Sequence, residues 1–76
     1  MKFTTTQEFG ELIRNKRKLL GYTQVYVASV SGLSVSFISD LERGKKTIEL
    51  GKAIFLANLM GLDCVLNDRN EKNEDV

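Results

Sequence analysis

Residues 23–44 read TQVYVASVSGLSVSFISDLERG, and their polar and apolar order decides how the rest of the chain is read. Thr23 carries the hydroxyl that N-caps a helix. Val27, Ala28 and Val30 give the segment behind it an apolar face. Ser31-Gly32-Leu33 is a turn in which Gly32 takes the left-handed backbone that other residues adopt only at a cost. Ser34 offers a second N-cap, for a helix running from Val35 to Arg43, and Gly44 closes it. Ile38 and Leu41, three residues apart, turn inward. The stretch predicts two short helices joined by one tight turn.

Toward the N-terminus, Thr4-Thr5-Thr6 precedes an amphipathic run from Gln7 to Leu20, with Phe9, Leu12, Ile13, Leu19 and Leu20 at roughly helical spacing. Thr5 and Glu8 fit a capping box, S/T-x-x-E. Gly21 stops this helix. Arg14, Lys16, Arg17 and Lys18 place positive charge at its C-terminal end, where the helix dipole favours it. Toward the C-terminus, Thr47 or Glu49 opens a further helix reaching about Met60, with Ile54, Leu56, Ala57, Leu59 and Met60 as its apolar face and Gly61 as its stop. Leu62–Leu66 (LDCVL) is too short for a helix and reads as a strand. Residues 67–76, NDRNEKNEDV, have almost nothing to bury and read as a disordered tail. The expected fold is all-α, a bundle of four or five helices over residues 1–66 with a short C-terminal β-strand. A lone strand leaves both edges open, so it is expected either to pair with its own copy across a two-fold axis or to lie extended on the helices.

Seventy-six residues make one domain near the size at which a single core is marginal. One cysteine and no histidine exclude an internal disulfide and Cys/His metal centres. Without histidine, a legible nucleophile–base pair or a glycine-rich phosphate loop, no catalytic residue, metal or cofactor is assigned. No apolar run approaches membrane-spanning length, and the N-terminus has no signal-like segment, so a cytoplasmic protein is expected. The net charge of +1 hides an asymmetry: residues 1–46 balance to +4 and residues 47–76 to −3. A basic first half suits a phosphate-bearing partner, although small chains also scatter charge by chance.

Two helices about a glycine-containing turn form the helix-turn-helix unit, whose second helix lies in the major groove of DNA. The pattern TQ-x3-A-x3-G-x6-S-x2-E-x-G, carried by Gln24, Ala28, Gly32, Ser39, Glu42 and Gly44, resembles the lambda-repressor-like helix-turn-helix of the XRE group over residues 7–61. Many members of that group place a proline after the LERG-like segment. Lys45-Lys46-Thr47-Ile48 has none. The resemblance implies double-stranded DNA as partner and assigns roles. Ser34, Val35, Ser36, Ser39 and Asp40 would face base edges, with Ser34 equally suited to capping alone and Ser36 to solvent alone. Thr23, Gln24, Arg17, Phe37, Arg43, Lys45 and Lys46 would meet the phosphate backbone, the alternatives being capping alone for Thr23 and Gln24, packing at the helix junction for Phe37 and an ordinary solvated loop for the lysines. It also implies an ion pair between Arg17 and Glu42, the alternative being two independent surface charges.

Within the group, ISDLERGKKTIELGKAIFLANLMGLD followed by a short apolar strand is similar to HipB-type antitoxins. That similarity implies a homodimer joined through Leu62, Cys64, Val65 and Leu66, an inverted-repeat operator, and a HipA-type kinase toxin as protein partner. A stand-alone repressor of the same fold, phage-like or restriction-controller, is the competing expectation. A small helical interaction or enzyme-accessory domain is the third.

Overall fold

The computed structural model describes residues 1–70, and among them four helices follow one another: α1 Thr6–Leu19, α2 Gln24–Ser31, α3 Val35–Glu42 and α4 Leu50–Leu59. Each begins on a side chain that caps it. The Thr5 hydroxyl accepts from the Glu8 N–H, Thr23 from the Tyr26 N–H and Ser34 from the Phe37 N–H; the Glu49 carboxylate accepts from the Gly51 and Lys52 N–H groups. Glu49, not Thr47, therefore opens α4. The capping box at α1 is shifted by one residue: the Glu8 carboxylate turns back to the N–H of Thr4, at 2.6 Å, rather than to that of Thr5. These bonds hold the Glu8 carboxyl below its ordinary pKa.

Helices α1, α3 and α4 end alike. The residue after each C-cap is a glycine, and the N–H groups of that glycine and of its successor bond back to carbonyls of the last turn; at α3 these are Gly44 to Leu41 and Lys45 to Asp40, both 3.0 Å. Gly44 has a second reason to lack a side chain, because a Cβ there would lie 2.6 Å from Gln7 Cα. The Thr6 hydroxyl donates to the Gly44 carbonyl at 2.8 Å, so the start of α1 is tied to the end of α3. Between α2 and α3, Gly32 is left-handed at φ 78°, as the turn requires.

The core is built from Ile13, Val27, Ile38, Leu41, Ala53, Leu56, Ala57 and Met60, with Phe9, Ala28, Leu33, Phe37, Ile48 and Leu62 packed around it. Helix α3 lies against both α1 and α2. The loop without proline is fixed by other means: the Ile48 N–H bonds to the Lys45 carbonyl at 3.3 Å, and the Ile48 side chain enters the edge of the core.

The apolar faces differ in part from their sequence reading. Leu19 and Leu20 lie beyond the last buried turn of α1 and are exposed, as is Val30 on α2. On α4 the buried stripe is Ala53, Leu56, Ala57 and Met60, while Ile54 and Leu59 face outward with Leu50 and Phe55. Helical spacing alone does not say which of two apolar stripes meets the core, and here the one with the smaller residues does. Leu62–Leu66 is not a strand in the single chain, because a ladder needs a second edge and the described residues provide none. Leu62 instead packs into the core and donates its N–H to the Ala57 carbonyl at 2.9 Å; Cys64, Val65 and Leu66 are exposed. Of the expected tail, residues 67–70 are exposed and outside any helix, and 71–76 lie outside the described residues.

Candidate nucleic-acid interface

Helix α3 is held from behind. Ile38, Leu41 and Glu42 are buried, whereas Val35 and Ser36 are exposed and Ser39 and Asp40 half-buried on the opposite side. Close approach of α1 makes this possible: a Cβ on Gly10 would collide with the carbonyl oxygens of Leu41 and Glu42. A glycine in mid-helix forfeits about 1 kcal/mol of helix propensity, which is itself a sign of a packing constraint. The apolar spacing of α1 does not mark Gly10, and the propensity penalty is the sequence signal for it.

The node that fixes the end of α3 is the Arg17–Glu42 pair. Arg17 Nε donates to Glu42 Oε2 at 2.7 Å and Nη2 to Oε1 at 2.9 Å, a two-pronged contact. Arg17 Nη1 donates to the Tyr22 carbonyl at 2.8 Å, and Gln24 Nε2 donates to Glu42 Oε1 at 3.0 Å. The side chains of Arg17 and Glu42 are 10% and 3% exposed, so this is a buried pair rather than two surface charges. The Glu42 hydrogen bonds raise the Arg17 pKa above its ordinary value, against the desolvation that lowers it. Among the described residues no buried side-chain nitrogen or oxygen is left without a partner. One cluster thus joins the C-terminal half of α1, the first residue of α2 and the last residue of α3.

Around this frame the expected contact residues are placed differently. Gln24 spends one amide hydrogen on Glu42 and keeps the other at the surface end of α2, beside Thr23, whose hydroxyl is used as a cap. Ser34 is likewise engaged as a cap, at 2.9 Å from the Phe37 N–H, while Val35 and Ser36 carry no such duty. Arg17 has three of its nitrogens bonded internally and little exposed surface, so it acts through Glu42 and Gln24. Phe37 turns toward the core, with Lys52 Nζ 5.8 Å over its ring. Lys45 and Lys46 are exposed just beyond α3.

At the end of α3 sits an arrangement that was not anticipated. Arg43 Nη1 donates to the Ser39 hydroxyl, Nη2 donates to Asp40 Oδ1 at 2.6 Å, and Lys45 Nζ stands 3.5 Å from Asp40 Oδ2. The i, i+4 and i, i+3 spacings of Ser39, Asp40 and Arg43 carried the signal. Among the described residues, no group of three or more histidine, cysteine, aspartate or glutamate side chains is placed to hold a metal ion. No helix among them is long and apolar enough to cross a membrane.

Comparison with known proteins agrees with this geometry. A helix-turn-helix family model matches residues 13–66. The uncharacterized HTH-type transcriptional regulator y4mF of Sinorhizobium fredii is 35% identical over 60 residues, covering 79% of each chain. YazB of Bacillus subtilis, also an HTH-type transcriptional regulator, is 47% identical over 38 residues, which are 50% of this chain and 55% of YazB. Among solved structures, a HipB–O4 20mer complex and a HipA–HipB–O2–O3 complex each contain a chain that superposes with TM-score 0.81 at 20% identity, over 92% of this chain and 99% of that one. The HipB likeness, at that identity, is one of fold. Matched family, caps, turn and exposed second helix together place the chain in the helix-turn-helix family, as a transcriptional regulator of the XRE, lambda-repressor-like type.

Proposed function

We propose that this protein is a dimeric, sequence-specific DNA-binding repressor of the HipB-like antitoxin kind, which represses its own operon and holds a HipA-type kinase toxin. The observation that carries DNA binding is the setting of α3. Its inner face is buried against α1 and α2, its outer face presents Val35, Ser36, Ser39 and Asp40, and Lys45 and Lys46 flank its end. An α-helix set proud of its domain in this way fits the major groove, whose base edges accept hydroxyl and apolar contacts. Gln24 and Thr23 at the start of α2 supply contacts to phosphate, which position the domain without reading sequence. The antitoxin reading is supported by the fold shared with HipB chains, one of them in a complex with HipA. Dimerisation through Leu62–Leu66 is supported by the exposed Cys64, Val65 and Leu66 beside the outward stripe of α4.

The decisive experiment is mobility shift with a duplex chosen from a random library. Wild-type protein is expected to select an inverted repeat with half-sites about 34–36 Å apart. Gln24→Ala is expected to weaken all duplexes alike, and Ser36→Ala to change the preference at one base pair by about 1–3 kcal/mol. A protein that retards no duplex at low salt is not a DNA reader. Purification from the host together with the product of the neighbouring gene tests the toxin. A second reading is a stand-alone regulator, and the relatives named as HTH-type transcriptional regulators are compatible with it. Recovery of the dimer alone, with no kinase-like partner, would support it.

A further inference from the structure

We propose that Arg43 is the principal base-reading side chain of this protein, that its target is a guanine, and that Asp40 is the residue that positions it. The proposal rests on the DNA-binding reading above and reassigns Arg43 from the phosphate contact expected of it.

Helix α3, Val35–Glu42, contains no Arg, Lys, Asn or Gln, so nothing within it can make the two-pronged contacts that discriminate strongly between bases. Arg43, at its C-cap, is the one such side chain the helix brings to its exposed face. Arg43 leans back along its own helix, with Nη1 on the Ser39 hydroxyl and Nη2 on Asp40 Oδ1 at 2.6 Å. That places the guanidinium one turn nearer the N-terminal half of α3, the part of such a helix that meets base edges. A guanidinium has five N–H groups. Two are used here, so both terminal nitrogens and Nε keep one each, enough for the N7 and O6 acceptors of guanine.

Electrostatics select the same pose. Asp40 would repel DNA if left bare, but Arg43 and Lys45 compensate it, the lysine at 3.5 Å. Swinging Arg43 out to a phosphate would leave the carboxylate to Lys45 alone against the polyanion. Keeping it on Asp40 while its free N–H groups reach a base retains both contacts. Asp40 therefore holds the fork toward the bases and penalises sites at which the fork finds no acceptor.

The test is selection from a random duplex library by full-length wild-type, Arg43→Ala, Arg43→Lys and Asp40→Asn proteins, with salt titration of the duplex chosen by wild type. Wild type is expected to prefer guanine at one position of each half-site by roughly 5- to 150-fold. Arg43→Ala and Arg43→Lys are expected to lose that preference and keep the others, because lysine carries the charge without the fork. The slope of log affinity against log salt should change little. Asp40→Asn is expected to bind the non-guanine sites more tightly than wild type does, narrowing the ratio. Arg43 lies at the surface, and unchanged helical circular dichroism shows that the variants are folded. If Arg43→Ala weakens every duplex equally and lowers the salt slope by about one, Arg43 is a phosphate clamp and the proposal is wrong. It is also wrong if Arg43→Lys retains the guanine preference. A wild-type protein that enriches no sequence overturns the DNA reading itself, which the Arg43 variants alone cannot do.

Discussion

Glu42 carries more of this structure than any other polar residue. It receives both prongs of Arg17 and the amide of Gln24 while being almost wholly removed from water. Replacing a well-formed buried pair with matched apolar groups is often neutral, but removing one partner leaves a charge without compensation, at about 3–5 kcal/mol. Arg17→Ala is therefore expected to lower unfolding free energy by that amount in urea denaturation, a large share of what so small a domain possesses. A loss below about 1 kcal/mol would mean that the pair behaves like a surface bridge. Gly10→Ala tests the other tight contact. It gains helix propensity, yet its Cβ meets backbone carbonyls that cannot swing aside, so a net loss of about 1–3 kcal/mol is expected from the same denaturation measurement. Glu8 gives a pH-dependent effect. Its carboxyl pKa is lowered in the folded state by the Thr4 hydrogen bonds, so its contribution is present above the unfolded value and is lost as pH falls through the folded one. Amide exchange at Thr4 is expected to quicken on acidification through the carboxylate range relative to the same titration of Glu8→Gln.

At the scale of helices, most of the architecture was legible because punctuation here is local. A helix start needs a hydroxyl or carboxylate within three residues of the N–H it satisfies, and Thr5, Thr23, Ser34 and Glu49 are all visible as such in the sequence. The glycines that follow α1, α3 and α4 are equally plain. What the sequence did not reveal is relational. Ile54 and Leu59 have the spacing of a core stripe, but the core accepts Ala53, Leu56, Ala57 and Met60, and spacing alone does not choose between the two. The Arg17–Glu42 pair was reached by family likeness, since no local rule joins residues 25 positions apart. Of the expected DNA contacts, Val35, Ser36, Arg43, Lys45 and Lys46 are exposed, whereas Arg17 is buried and Phe37 turns toward the core. The turn between α2 and α3 offers the sharpest test at this scale. Gly32 has open space around it, so alanine there meets no clash, only the left-handed backbone. Gly32→Ala is expected to cost about 1–2 kcal/mol of stability by thermal unfolding while leaving affinity for a chosen duplex intact below the transition. Affinity loss without stability loss would show that the turn itself touches DNA.

The whole molecule is one-sided. Its core is formed on the inner faces of the four helices, and a second apolar surface remains outside. Leu50, Ile54 and the segment Cys64–Leu66 border a groove of about 550 Å³ that also takes in Phe3 and Phe9. Leu66 is fully exposed and Val65 is 63% exposed, and they adjoin the outward-facing Leu50 and Ile54. Residues 63–66 follow a helix stop and belong to no helix or strand, and their exposed side chains are ones that a symmetry mate would cover. Pairing of this segment across a two-fold axis would also fix the separation of the two α3 helices, which makes assembly and operator spacing one property. Val65→Pro isolates that property. It removes a backbone donor from the proposed ladder, and it does so at a residue outside the core, so the four helices are expected to keep their circular dichroism. Sedimentation is expected to show a monomer that binds an inverted repeat no better than a single half-site. A variant that stays dimeric with wild-type affinity would move the interface away from residues 62–66, leaving the outward stripe of α4 as the surface to test next.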